Sequence, residues 1–118
     1  WLHGVVAINK KNDDDGLKAI EAAFEGHASM KHVWIVDSDI DVTDPQSVEW
    51  AMATRFQGDT GLVVKTGVKG SSLDPSSNPD TRETVKVGFD CTIPLNRDKS
   101  DFARPEPGMK VKLDDYLD

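Results

Sequence analysis

The run HVWIVD, from His32 to Asp37, constrains the fold of this chain more than any other stretch. Its four consecutive apolar residues, 33–36, leave neither face of a strand for water, as in the interior of a parallel sheet. A shorter apolar run, GVVAIN at 4–9, precedes it, and another, GLVVK at 61–65, follows it. The three runs predict an α/β domain built around buried parallel strands.

Helical periodicity separates these runs. The stretch 16–25 carries apolar side chains at i, i+3 and i+7 and stops at Gly26, a natural helix end. The stretch 45–56 follows Asp44, a good N-cap, and begins with proline at the first helical position. A strand-helix-strand-helix-strand order with short connections predicts three parallel strands joined by right-handed crossovers.

The rest of the chain is less regular. Residues 66–83 hold serine, proline and glycine without sustained periodicity, which predicts a long irregular or functional loop. Residues 85–91 alternate apolar and polar side chains, as in a strand with one face in water. The predicted fold class is α/β, a β-α-β-α-β mostly parallel sheet with this strand added at its edge. Beyond Pro94 we expect an irregular C-terminal tail.

Composition limits the partners. The 118 residues fit one domain, and 37% hydrophobic with 30% charged residues is the balance of a folded chain. A formal net charge of −7 disfavours nucleic acid and anionic membranes, because phosphate backbones and anionic lipids attract clustered Lys and Arg. No apolar run is long enough to span a membrane. A single cysteine excludes a disulfide framework within the chain, and a cytoplasmic location is expected.

Two features indicate that this chain is part of a larger assembly. It starts Trp-Leu-His-Gly and runs straight into a strand, so residues 1–118 are interpreted as one domain of a longer protein. Trp50 lies about 200° around its helix from Val48, off the apolar stripe. It is either an aromatic residue at the border of the core or an anchor against another domain or subunit, where tryptophan is enriched.

The acidic run VDSDID at 36–41 could carry chemistry. An EF-hand loop counted from Asp37 needs glycine and glutamate at positions six and twelve, and valine occupies both. A DxD motif of a nucleotide-sugar transferase, in which Asp37 and Asp39 hold a divalent cation, matches the local context. The other interpretation is a set of solvated carboxylates at the strand end where α/β sheets place ligands, with Asp44 capping the next helix.

The remaining reactive side chains form no catalytic pattern. Cys91 is interpreted as a small apolar residue on the inner face of a strand, because no neighbouring base would activate its thiol. His3, His27 and His32 lack a shared metal-ligand spacing and are interpreted as ordinary surface or strand residues. The residues alone therefore predict no catalytic group and leave the two interpretations of the acidic run open.

Three stretches together resemble one family: KHVWIVDSDIDVTDPQSVEWAMATRF at 31–56, GSSLDPS at 70–76 and KVGFDCT at 86–92. In this order they are similar to the C-terminal domain of the UbiD-type decarboxylases, the family of 3-octaprenyl-4-hydroxybenzoate carboxy-lyase. The resemblance implies a C-terminal domain of a larger enzyme, inactive alone, that decarboxylates an aromatic or α,β-unsaturated acid without oxidation. The VDSDID run is then a structural family motif.

The resemblance also implies cofactors and partners. Prenylated FMN, a divalent metal (manganese) and potassium would be bound mainly by an upstream flavin-binding domain of the same chain, which also supplies the catalytic residues. No catalytic or metal-binding residue is therefore assigned here. The domain is expected to build homo-oligomer contacts and to close one side of the active cleft. Lys10 is implied as a flavin-phosphate contact, and Ser71 and Leu73 as lining of the pocket for the small carboxylic acid substrate.

Overall fold

A computed structural model of the chain describes residues 2–102. Within them the elements are β1 His3–Ile8, α1 Asp15–Gly26, β2 His32–Asp37, α2 Pro45–Arg55, β3 Leu62–Lys69, β4 Glu83–Cys91 and a 3-10 turn at Lys99–Phe102. The strands form one sheet in the order β1-β2-β4-β3, in which β1, β2 and β4 are parallel and β3 is antiparallel to β4. The predicted α/β class with a mostly parallel sheet is confirmed. Most of the predicted irregular tail lies outside the described residues.

The roles predicted for the last two strands are exchanged. β3, expected as the third parallel strand, is the antiparallel edge strand, with Leu62 opposite Phe89. β4, expected at the edge, lies inside the sheet, with Trp34 of β2 opposite the same Phe89. The reason lies in α2, which ends with Arg55 bonded to Asp37, at the end of the sheet where β1, β2 and β4 finish. We call this the carboxyl end of the sheet, and a strand that starts there must run against β2.

The predicted 66–83 loop is shorter than expected, because β3 continues to Lys69. An irregularity between Lys65 and Val68 interrupts its pairing with β4, and Gly67 sits there with φ of 64°. Glycine adopts this left-handed conformation without steric cost, so the strand can bend and resume. The loop between β3 and β4 is therefore 70–82.

A hydrophobic layer covers each face of the sheet. The layer under α1 consists of Ile20, Ala23, Phe24, Met30, Val33 and Ile35. The layer under α2 consists of Val36, Ile40, Val48, Ala51 and Cys91. The predicted helix stripes and the buried character of Cys91 are confirmed, and burial raises the pKa of this thiol to about 12. No helix in the described part of the chain is long and apolar enough to cross a membrane.

Candidate functional site

The carboxyl end of the sheet gathers the polar groups that could bind a ligand. The last residues of the three parallel strands, Ile8, Asp37 and Cys91, lie within one residue of each other in the register. The chain segments that leave these strands therefore meet at one place. Open α/β sheets bind their ligands at this end, because the connections there diverge and leave a crevice.

Lys10 follows β1 and turns its ammonium group towards the end of β4. Its side chain is only 7% exposed. The Nζ atom donates to Thr92 Oγ1 at 3.2 Å and to the carbonyl oxygen of Ile93 at 3.5 Å. The carboxylate of Asp13 lies 4.0 Å away. Lys10 is therefore held in a fixed position and is not a solvated loop lysine.

The two acceptors of Lys10, Thr92 and Ile93, lie in the segment that follows β4, and Asp90 holds this segment by hydrogen bonds. The backbone N–H and the hydroxyl of Thr92 both donate to Oδ1 of Asp90. This carboxylate packs against the first turn of α1, where a Cβ atom on Gly16 would lie 2.2 Å from Asp90 Cγ. Only glycine at position 16 leaves room for the carboxylate, so the sequence of α1 determines where Thr92 can sit.

The VDSDID run holds the same segment through a second contact, at Ile93. The backbone N–H of Ile93 donates to Asp37 Oδ2 at 3.0 Å. The same oxygen accepts from Arg55 Nη1 at 3.0 Å, while both oxygens of Asp39 accept from Arg55 at 2.9 and 3.0 Å. The Arg55 side chain is only 4% exposed. A buried guanidinium thus joins the end of α2 to the end of β2.

These contacts decide the chemistry of the two aspartates. The hydrogen bonds from Arg55 lower the pKa of Asp39, so its carboxylate stays ionised and paired. Asp37 is largely buried and is not the solvated carboxylate that one interpretation expected. Asp44 caps α2 as expected, accepting from the Gln46 N–H at 3.1 Å. Among residues 2–102 no group of three or more His, Cys, Asp or Glu side chains is arranged to hold a metal ion.

Two cavities flank Lys10. The larger, about 300 Å³, lies on the side of α1 and Asp90. The smaller, about 110 Å³, has four residues with N–H or O–H donors in its lining: Asn9, Lys10, Ser38 and Lys99. Asp37 and Asp39 also line it, and their two negative charges are outweighed by Arg55, Lys10 and Lys99 together. N–H and O–H donors of this kind suit the oxygens of a phosphate group, so the donor set fits a flavin phosphate.

Ser71 and Leu73 lie at the opposite end of the sheet from Lys10. The loop 70–82 leaves β3 and enters β4 where β4 begins, and at about 3.3 Å per residue β4 is roughly 26 Å long. Asp74 fixes the loop through a 3.0 Å ion pair with Lys31. Leu73 is 68% exposed, and the Ser71 hydroxyl accepts from the Leu73 N–H at 3.1 Å. The structure does not bring these two residues together with Lys10.

Trp34, Phe89 and two of the three histidines form a cluster on the α2 side of the sheet, while His27 is the C-cap of α1. Trp34 stacks on Phe89, with ring centroids 5.4 Å apart, and contacts His3 and His32 edge-on. Burial lowers the pKa of His32. Trp50 is half-buried, which fits an aromatic residue at the border of the core, and its role as an anchor stays a prediction.

Sequence reasoning missed Arg55, Thr92 and Ile93. A signal for Arg55 was present, because it lies seven residues after Val48, on the apolar face of α2. A charged side chain in that position needs a buried partner, and the acidic run supplies it. No comparable signal existed for Thr92 and Ile93, since their role depends on a lysine about eighty residues earlier.

Comparison with known proteins identifies the family of the chain. Residues 1–91 match the family described as the 3-octaprenyl-4-hydroxybenzoate carboxy-lyase C-terminal domain. The chain is 51% identical over 104 residues to anhydromevalonate phosphate decarboxylase of Methanocaldococcus jannaschii, covering 88% of this chain and 25% of that protein. It is 34% identical over 127 residues to gallate decarboxylase of Lactiplantibacillus plantarum, covering 98% of this chain and 26% of that protein.

Solved structures give the same result. The UbiD-class enzyme HmfF from Pelotomaculum thermopropionicum, in complex with FMN, superposes with a TM-score of 0.81 at 43% identity, covering 98% of this chain and 26% of that one. An evolved dimeric form of HmfF in complex with prFMN has a TM-score of 0.65 at 36% identity, covering 98% and 23%. The chain spans about a quarter of the length of the curated relatives it matches.

Proposed function

The chain belongs to the UbiD family, as a C-terminal domain of the 3-octaprenyl-4-hydroxybenzoate carboxy-lyase type, and from this premise we propose that it closes the active cleft of a prenylated-FMN-dependent, non-oxidative decarboxylase. The observation that carries the proposal is the position of the Lys10 ammonium group. It is held beside a cavity whose lining includes side chains that can donate hydrogen bonds to phosphate oxygens. In this proposal residues 1–118 form one domain, and the catalytic residues belong to the remaining part of the enzyme.

Lys10 is the proposed contact to the flavin phosphate. An ammonium group donates charge-assisted hydrogen bonds to phosphate oxygens, and its fixed position means that little side-chain entropy is lost on binding. Prenylated FMN, when bound, supplies the conjugated system that accepts the electrons left by the departing carboxyl group. The manganese and potassium ions are expected in the part of the enzyme outside this chain.

The substrate is proposed to be an α,β-unsaturated acid carrying a phosphate. Five anhydromevalonate phosphate decarboxylases are 48–51% identical to the chain, whereas the gallate decarboxylase is 34% identical. Of the two expected substrate classes, aromatic acids and α,β-unsaturated acids, mevalonate that has lost water belongs to the second. The pocket-lining role of Ser71 and Leu73 remains proposed, and it requires the amino end of the sheet to face a cleft.

The proposed assembly role has its own support in an uncovered part of the sheet. On the face that carries α2, the side chains of Leu62, Val64 and Val85 are 42%, 51% and 40% exposed. Exposed apolar side chains on one face of two paired strands are of the kind that contacts another domain or subunit. The upstream flavin-binding domain and a second copy of the enzyme are the proposed partners.

The nucleotide-sugar transferase alternative is not retained. Family membership excludes it, and both carboxylates of its DxD motif are bound to Arg55. The decarboxylase proposal is tested with the full-length enzyme loaded with prenylated FMN. We expect CO₂ release from anhydromevalonate phosphate with a kcat/KM at least tenfold above that for gallate; no CO₂ release from either acid would contradict the proposal.

A further inference from the structure

We infer that Asp37 and Arg55 are positioning residues for Lys10: together they fix the Lys10 ammonium through the backbone of Ile93. This inference rests on the proposed contact between Lys10 and the flavin phosphate, and it gives the VDSDID run a part in cofactor binding. Neither Asp37 nor Arg55 needs to touch the flavin. They set the position of the Lys10 ammonium group before the phosphate binds.

The contacts form a continuous path. Arg55 Nη1 and the Ile93 N–H both donate to Asp37 Oδ2 at 3.0 Å, so one carboxylate oxygen joins the helix to the segment after β4. The carbonyl oxygen of Ile93 then accepts from Lys10 Nζ at 3.5 Å. Ile93 is thus held at its N–H by Asp37 and contacts Lys10 through its C=O. A shift of Asp37 therefore moves one of the two acceptors that Lys10 uses.

Burial makes this path stiff. Exposure is 4% for the Arg55 side chain, 14% for that of Asp37 and 7% for that of Lys10, and Ile93 is 5% exposed. Charges excluded from water interact strongly with their partners and lose much when a partner is removed. The path therefore has few alternative arrangements.

Asp39 and Asp90 provide the internal comparisons. Asp39 pairs with the same Arg55, but its side chain is 61% exposed and no described contact joins it to Ile93. Its removal changes the charge beside Arg55 and leaves the path intact. Asp90 holds Thr92, the other acceptor of Lys10, independently of Asp37. Loss of Asp37 should therefore loosen the ammonium group without releasing it.

The test is a double-mutant cycle in the full-length enzyme. The proteins are the wild type, Asp37→Ala, Lys10→Met and the double variant, with Asp39→Asn as the matched control. Asp37→Asn is made as well, because it keeps the shape of the side chain if Asp37→Ala folds poorly. The dissociation constants for FMN and for riboflavin, which lacks the phosphate, are measured by fluorescence titration.

We expect Lys10→Met to weaken FMN binding by about ten- to a hundredfold and Asp37→Ala by about three- to tenfold, with riboflavin binding unchanged. In the Lys10→Met background, Asp37→Ala should change FMN affinity by less than about twofold, because the group it positions is gone. Asp39→Asn removes a carboxylate that lines the same cavity and has no described contact with Ile93, so its FMN affinity should equal or exceed that of the wild type.

One result would contradict the phosphate contact of Lys10, and another would contradict the positioning role of Asp37. If Lys10→Met leaves the ratio of FMN to riboflavin affinity unchanged, the proposed phosphate contact is wrong. If Lys10→Met lowers that ratio, but Asp37→Ala and Asp37→Asn weaken both flavins alike or act equally with and without Lys10, the positioning inference is wrong. In that case Asp37 only stabilises the fold.

Discussion

Arg55 and Asp37 are separated by 18 residues in the sequence and joined by a 3.0 Å hydrogen bond between buried groups. This contact places the end of α2 beside the end of β2. Because β3 then starts at the carboxyl end of the sheet, it must run antiparallel to β2 and β4. Arg55 also pairs with Asp39, so one cation offsets part of the negative charge of the acidic run. A run of aspartates that invites a metal site in the sequence is, in the folded chain, part of a structural ion-pair network.

We predict that Arg55→Met destabilises the chain by about 3–5 kcal/mol, because it leaves the largely buried Asp37 without its cation. Urea unfolding of the variant and the wild type measures the difference. Lys18→Met is the control, since Lys18 and Asp14 form an exposed ion pair with 69% and 58% side-chain exposure. Such pairs contribute about 0–1 kcal/mol. Equal effects of the two substitutions would contradict the network.

Two glycines of α1 are expected to respond to alanine in opposite directions. Gly16→Ala places a Cβ 2.2 Å from Asp90 Cγ and should lower the unfolding free energy by more than about 1 kcal/mol. At Gly26 the added Cβ meets nothing within 4 Å, so Gly26→Ala should raise it by about 0.5–1 kcal/mol. Thermal unfolding distinguishes the two, and a stabilising Gly16→Ala would show that Asp90 is not packed against this turn.

Asp74 should make stability depend on pH. Hydrogen bonds from Ser76 and Lys31 lower its pKa from 3.8 to about 2 in the folded chain. A carboxyl with a depressed folded-state pKa stabilises fully above its unfolded-state pKa, and that contribution is lost as pH falls from about 4 towards 2. The unfolding midpoints of wild type and Asp74→Asn should differ at pH 7 and converge near pH 2. The exposed Asp80→Asn serves as control; a difference independent of pH would exclude this cause.

Asp37 and Asp39 should not bind manganese in this chain. Arg55 donates hydrogen bonds to Asp37 Oδ2 and to both carboxylate oxygens of Asp39, the oxygens that a DxD site would offer to the cation. Isothermal titration of the chain with Mn²⁺ should give the same weak or absent heat for the wild type and Asp39→Asn. Tight binding that disappears in the variant would show that the cation displaces Arg55.

Substitution of Leu73 tests the proposed substrate contact separately from the flavin. In the full-length enzyme, Leu73→Asp should lower kcat/KM for the acid by about tenfold or more if the exposed side chain lines an apolar wall of the pocket. FMN affinity should not change, because Leu73 lies at the other end of the sheet from Lys10. Pro75→Ala, also exposed in the same loop, is the control. Unchanged kcat/KM would remove Leu73 from the pocket.

β3 and Lys10 show most clearly which features could be predicted from the sequence and which could not. Apolar runs located β1, β2 and β3, and apolar periodicity located α1, α2 and β4, because each of these elements must bury apolar side chains. Neither pattern could assign β3 to the sheet edge, since that depends on where α2 ends, and α2 ends where Arg55 meets Asp37. Lys10 was found only through a family resemblance, and its burial depends on acceptors 82 and 83 residues away.

The most direct test of the account is a crystal structure of the full-length enzyme with its flavin bound. We predict that Lys10 Nζ lies within about 3.2 Å of a flavin phosphate oxygen while Asp37 still bridges Arg55 and the Ile93 N–H. A flavin phosphate bound entirely by groups outside this domain, with Lys10 still directed only at Thr92 and Ile93, would contradict it.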